Sequence, residues 1–290
     1  MLPQLLISGI SVGCVYALVA LGMTILFRAT TIVNFCHGEF FMLGAFGVLV
    51  PLQLFGWPYP AAIAASLCLL LVVGSATERL LIRPLKNAPF VTLAMMTVAL
   101  SFFLRGVSRF FYGREVVPLP PLVTGDPIEL GKYAMLFPQD LLVISFTAVI
   151  VVLLAIFFAK TQLGKVIQAA SQTPRGASLV GINVPLLRNV MWAAGAFMGA
   201  VAGILIAPST LVYPDMGGTM LIRAFAAMCL GGFGSLPGAV VGGITLGILE
   251  NVVGGYVSSS LVDITAYLVI VIVLVLRPQG IFGEWRQGRA

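Results

Sequence analysis

The stretch PQLLISGISVGCVYALVALGMTILF, Pro3–Phe27, carries no charged side chain. About 20 residues of α-helix, each rising 1.5 Å, cross the hydrocarbon core of a bilayer, so this stretch is long enough to span one. The rest of the chain repeats the pattern. Of its 290 residues, 60% are apolar and 9% charged, which leaves too little polar surface to cover a body facing water on all sides. Further apolar segments run over Phe40–Phe55, Ala61–Thr77, Phe90–Leu104, Gln139–Ala159, Val190–Leu211, Ala239–Val253 and Val262–Leu276. With the first they predict eight spans. A ninth apolar segment, Met220–Gly232, is shorter and holds Arg223 and two glycines, a composition that suits a short or broken helix. The predicted fold is therefore all-α: a polytopic transmembrane bundle of about 8–9 spans, with a short or re-entrant helix near 220–236. No polar connection is long enough to fold apart, so residues 1–290 are expected to form a single membrane domain.

Charge placement then predicts orientation. Lys160–Arg188 holds Lys160, Lys165, Arg175 and Arg188 and no acid, which marks a cytoplasmic segment. The stretch Glu78–Pro89 with Arg79, Arg83 and Lys86, and the tail with Arg277, Arg286 and Arg289, fall on the same side by the count of spans. Between Arg105 and Lys132, the cations Arg105, Arg109, Arg114 and Lys132 are offset by Glu115, Asp126 and Glu129, and VVPLPPLVTGDP is too rich in proline for a helix. That segment is expected to be the outer loop. The N-terminus is then outside, and the C-terminus is cytoplasmic if the ninth segment crosses or another re-enters. No Lys or Arg precedes Arg28, so no cleaved targeting segment is expected. A multi-pass protein of a bacterial plasma (inner) membrane, in contact with lipid, accounts for the net charge of +6 better than nucleic-acid binding, because no basic patch interleaves with aromatics.

Several chemistries are excluded by motif. Cys14, Cys36, Cys68 and Cys229 are widely spaced and lack CxxC pairing. GGFGSLPGAVVGG, residues 231–243, lacks the GK[ST] ending of a phosphate-binding loop. His37 and Glu39 stand two residues apart, but two ligands fall short of the three or four that zinc needs. No catalytic, cofactor or metal site is expected. Charges within apolar segments are costly, at least about 2.5 to 3.5 kcal/mol at mid-bilayer. Glu39, Arg223, Glu250 and Asp263, with the polar neighbours Asn34, His37 and Asn251, are accordingly the candidates for a translocation path or gate. The competing reading is that they pair across helices or reach the interface, and that Asn34–Glu39 shapes a bend which Gly38 permits. Gly195, Gly199 and Gly203 recur every fourth residue, as do Gly238 and Gly242, a spacing that serves close helix packing or, alternatively, faces that slide.

The basic segment KTQLGKVIQAASQTPRGASLVGINVPLLRN, Lys160–Asn189, has the periodicity of two short helices split near Thr173 and Pro174. Within it, Thr161, Gly164, Ala169, Ala170, Ala177, Leu179, Gly181, Ile182 and Asn183 form the pattern TxxG, then AA, then AxLxGIN. With GxxxGxxYALxALGxT over Gly9–Thr24, NFxHGE over Asn34–Glu39, GGxGSxxGAxxGG over Gly231–Gly243 and RPQGIFG over Arg277–Gly283, it resembles the permeases of branched-chain amino acid ABC transporters. The resemblance implies a permease subunit that forms the path for branched-chain or related amino acids. It also implies the partners: a second homologous permease subunit, two cytoplasmic ATPase subunits and an extracytoplasmic substrate-binding protein. The chain itself has no Walker A motif, so ATP hydrolysis belongs to other subunits and this chain is not expected to be an enzyme. The family's coupling segment maps to about 160–189, with Lys165, Ala169, Ala170, Arg175, Gly176, Leu179, Gly181 and Ile182 as the expected ATPase contacts. A stand-alone channel or ion-coupled carrier for a small polar solute is the competing function.

Overall fold

The computed structural model describes residues 1–113, 115–129 and 134–283; Arg114, Lys132, Arg286 and Arg289 lie outside the described residues. The helices are α1 (Leu2–Thr30), α2 (His37–Phe55), α3 (Tyr59–Thr77), α4 (Phe90–Tyr112), α5 (Pro138–Lys160), α6 (Gln162–Gln172), α7 (Pro174–Leu179), α8 (Val184–Ile206), α9 (Met216–Gly231), α10 (Leu236–Tyr256) and α11 (Val262–Leu276). A two-stranded antiparallel hairpin, β1 (Ile128–Glu129) with β2 (Met135–Leu136), sits between α4 and α5. Among the described residues, eight helical stretches are long and apolar enough to cross a membrane, and α9 is a shorter apolar helix of 16 residues.

The boundaries follow from local chemistry. Proline stands in the first turn of α3, α5, α8 and α10, where its missing N–H costs nothing and its fixed φ suits the helix. Side-chain caps begin α6, α8 and α10: Thr161 Oγ1 accepts from the Gly164 N–H, Asn183 Oδ1 from Leu186 and Ser235 Oγ from Gly238.

Helix α1 is the axis, buried from Val15 to Leu21 and packed against α5, α8, α9 and α10. Its contact with α10 is backbone on backbone: a Cβ at Gly13 would fall 2.7 Å from the Ile244 Cα. Bulk there would force the two helices apart. Likewise a Cβ at Gly199 would press on Phe40, and one at Gly203 on the Phe41 carbonyl, while Gly195 faces Leu26, Gly238 faces Gly231 and Gly242 faces the Ala227 carbonyl. All five thus sit at close helix crossings, where small residues let backbones approach.

One end of the bundle gathers the C-terminus of α1, α6, the α9–α10 turn and the last described stretch. There Arg28 Nε donates to the Gly234 carbonyl at 2.6 Å, and the Ile281 and Phe282 N–H groups donate to Leu230 and Gly231. The cationic stretches around 83 and 188 lie at this end too, joined through Glu78: Arg188 Nε is 2.8 Å and Arg83 Nη2 3.4 Å from its carboxylate. At the opposite end, the Met135 N–H donates to Gln4, Tyr59 O–H to the Pro120 carbonyl, and Val117 bridges Val212. Helix α9 returns the chain from that end to the first in a single uninterrupted helix of about 24 Å, at 1.5 Å per residue.

Three expectations are corrected. The outer loop does not start at Arg105, because α4 continues to Tyr112 and its arginines are paired with acids on α2 and at the start of α9. Glu78 is not a loop residue; α3 runs on through a π-helical turn, Glu78–Ile82, that buries the carboxylate between arginines. Helix α8 starts at Val184 and ends at Ile206, earlier than the apolar segment Val190–Leu211, because Asn183 caps it and Arg188 has Glu78 as a buried partner.

Candidate functional site

A cavity of about 620 Å³ opens between α4, α9 and α11. Its walls are mainly apolar, from Phe35, Phe102, Leu221, Ile222 and Tyr267, and its charges are two arginine–aspartate pairs: Arg105 with Asp215, and Arg223 with Asp263.

Each arginine is held from behind by a buried glutamate. On one side Glu39, at the start of α2 and 1% exposed, accepts from Arg105 Nη2 at 2.7 Å and from Ser101 Oγ at 2.9 Å. Arg105 Nε then lies 3.8 Å from Asp215, which also binds Arg109. On the other side Glu250 of α10, 2% exposed, accepts from Tyr16 O–H at 2.6 Å and from Arg223 Nε at 3.3 Å. Arg223 Nη2 reaches Asp263 at 2.9 Å, and its guanidinium lies 5.9 Å from the centre of the Tyr16 ring. The aspartates are the open members: Asp215 is 42% exposed and Asp263 79%. Helix α9 links the two sides, since Asp215 is its N-cap and Arg223 lies two turns further on. Each buried carboxylate is thus paired and hydrogen-bonded, as charge in an apolar body requires, Glu39 through Oε1 alone while its Oε2 has no hydrogen-bond partner.

Of the residues singled out in the sequence, Arg223 and Asp263 line the cavity, and Glu39 and Glu250 anchor its arginines. His37 is buried edge-on against Phe40, ring centres 5.9 Å apart, where a Cβ at Gly22 would fall 2.6 Å from Nε2. Asn34 turns the chain by accepting from the Cys36 N–H at 3.0 Å, and Asn251 donates to the Gly247 carbonyl of its own helix. None of these three is on the cavity wall. Arg105, Asp215 and Tyr16 were missed. A signal for the first was present: Thr97, Ser101, Arg105 and Ser108 fall on one face of a helix at i, i+4, i+8 and i+11. Among the described residues no three His, Cys, Asp or Glu side chains cluster as a metal site would need.

The second candidate surface is the α6–α7 pair. Thr173 separates the helices, as the sequence predicts. The inner face of α6 buries Gly164, Ile167 and Ala170, and Gln168 Nε2 ties it to the Phe158 carbonyl at 3.0 Å. Lys165, Ala169, Arg175 and Gly176 are exposed, and Ile182 is half-buried. Leu179 is 88% exposed, next to an exposed Val180. Gly181 holds φ +84° with open space around its Cα, so backbone conformation, rather than crowding, calls for glycine there.

A family model described as the permease component of the branched-chain amino acid transport system matches residues 5–276. The chain belongs to this family. The permease is 30% identical to the high-affinity branched-chain amino acid transport system permease protein LivH of Escherichia coli K12, over 97% of this chain and 95% of the relative. It is 29% identical to the corresponding BraD of Pseudomonas aeruginosa over the same shares. Among solved structures, a chain of PsaBC from Streptococcus pneumoniae superposes with a TM-score of 0.51 at 16% identity, covering 93% of the permease and 91% of that chain. At that identity the likeness concerns the fold.

Proposed function

We propose that this chain is a transmembrane permease subunit of an ATP-binding-cassette importer and forms the path for branched-chain or related amino acids. Family membership over residues 5–276 carries this reading, and its relatives are branched-chain amino acid permeases along almost their whole length. The chain acts as one membrane domain, with its N-terminus outside and its C-terminus cytoplasmic. The end that gathers Lys160–Arg188, Arg83 and Arg277 then faces the cytoplasm, as the distribution of Lys and Arg favours. Partners are a second homologous permease subunit, two cytoplasmic ATPase subunits that hydrolyse ATP, and an external substrate-binding protein.

The exposed α6–α7 pair is the coupling surface. Lys165, Arg175, Leu179 and Gly181 meet the ATPase, and the buried face of α6 passes the displacement to α5 and α1, because helices packed on both sides move together. The charge-lined cavity is part of the translocation path. Co-expression and affinity purification test the assembly, and uptake of labelled leucine into proteoliposomes tests the activity. Uptake needs ATP, the ATPase chains and the binding protein together. A stable chain that moves solute alone along an ion gradient would overturn the proposal in favour of a secondary carrier.

A further inference from the structure

The two halves of the cavity repeat one arrangement: a buried glutamate, an arginine, and an exposed aspartate facing the open space. We infer that the Arg223–Asp263 pair is a receptor for the paired charges of a free α-amino acid, with Arg223 taking the carboxylate and Asp263 the ammonium.

The inference rests on the permease reading and adds a site to it. Arg223 has a fixed partner and an exchangeable one. Glu250, enclosed and held by Tyr16, keeps the guanidinium aimed at the cavity, and replacing it would take away the enclosed partner of Arg223 and leave the exposed Asp263. Asp263 is wide open although Arg223 is mostly enclosed, so water already competes for the aspartate side of the pair and an incoming carboxylate takes its place on the guanidinium. A displaced Asp263 is then itself an unpaired anion beside the ligand, the complement of an ammonium group. A zwitterion satisfies both in one step and leaves the net charge of the cavity unchanged. A lone anion strands Asp263, and a lone cation meets Arg223. The adjoining wall of Leu221, Ile222, Ala266 and Tyr267 is apolar, which suits an aliphatic side chain. Asp263 must also face water, since a carboxylate this exposed on an otherwise apolar helix is costly against hydrocarbon. On the other side Asp215 is less exposed than Asp263 and is also held by Arg109, so the exchange favours the Arg223 side.

The test uses the full-length chain, purified with its co-expressed partner subunits in lipid nanodiscs. Saturation-transfer NMR titrations compare leucine with 4-methylpentanoate, which keeps the carboxylate and side chain and lacks the ammonium. The wild type binds leucine saturably and more tightly than 4-methylpentanoate. Asp263→Asn, nearly isosteric at an exposed position, weakens leucine by at least about fivefold, as expected when one charge-assisted hydrogen bond is lost, and does not weaken 4-methylpentanoate, whose carboxylate no longer competes with an anion for Arg223. Asp263→Glu restores leucine preference. A smaller loss for leucine, a parallel loss for both ligands, or no saturable leucine binding to the wild type would each overturn the assignment. ATP-driven uptake by the wild-type complex is scored separately: uptake retained with leucine binding indifferent to Asp263 removes the receptor and keeps the permease, and the reverse pattern removes the permease and keeps the receptor.

Discussion

At the scale of single residues, the cavity depends on two buried carboxylates. Glu39 binds Arg105 and Ser101, so Glu39→Ala leaves an arginine without its enclosed partner. Breaking a buried pair from one side costs about 3–5 kcal/mol, and the variant should unfold at a clearly lower temperature in detergent, with Glu39→Gln in between. An unchanged midpoint for Glu39→Ala would contradict the pairing. Tyr16→Phe removes the hydroxyl that donates to Glu250, a hydrogen bond to a charged acceptor worth about 1.5–3 kcal/mol. Its loss should appear in the same thermal assay. The sequence exposed both carboxylates and Arg223 but hid Arg105 and Tyr16. Glu39 and Glu250 interrupt apolar runs and draw notice by cost alone, whereas Arg105 stands where an apolar run ends and passes for the start of a loop. Tyr16 is the tyrosine of GxxxGxxYALxALGxT, but a tyrosine in a span usually reads as packing, and only the fold brings α10 beside it.

At the scale of elements, the α6–α7 pair was legible because its signals are local: a Thr cap, a Pro break and apolar positions at helical spacing. The ends of α3, α4 and α8 were less so. Each carries charge past the point where an apolar count stops, and those charges are neutralised by residues more than 60 positions away in sequence. The pair also carries a prediction. Gly181→Val forces a β-branched residue into a left-handed conformation, costing about 1–3 kcal/mol, and the strain is relieved by moving the α7–α8 turn. ATP hydrolysis by the assembled complex should continue while uptake falls by about tenfold, and Gly181→Asn, which tolerates this conformation, should retain most uptake. Normal coupled uptake in Gly181→Val would remove the coupling assignment. At the core, Gly13→Leu drives a side chain into the backbone of α10, and the folded yield should collapse.

At the scale of the whole molecule, the opening apolar stretch was decisive for the class of fold, and it became the central helix that the others enclose. Composition and length reached that far because a bilayer leaves few choices of structure. They did not reach the cavity, which needs α4, α9 and α11 placed side by side. Orientation is a property at this scale. Single cysteines placed at Lys165 and at Glu115 should react with a membrane-impermeant maleimide from opposite faces, Lys165→Cys only in inside-out vesicles and Glu115→Cys only in right-side-out ones. The reverse pattern would invert the assignment of the two ends. The most direct test of the permease reading is leucine uptake into proteoliposomes holding this chain with its second permease subunit, the two ATPase subunits and the binding protein. Uptake that stops when ATP hydrolysis is blocked or the binding protein is left out is the predicted result; uptake by this chain alone, driven by an ion gradient and indifferent to ATP, would contradict it.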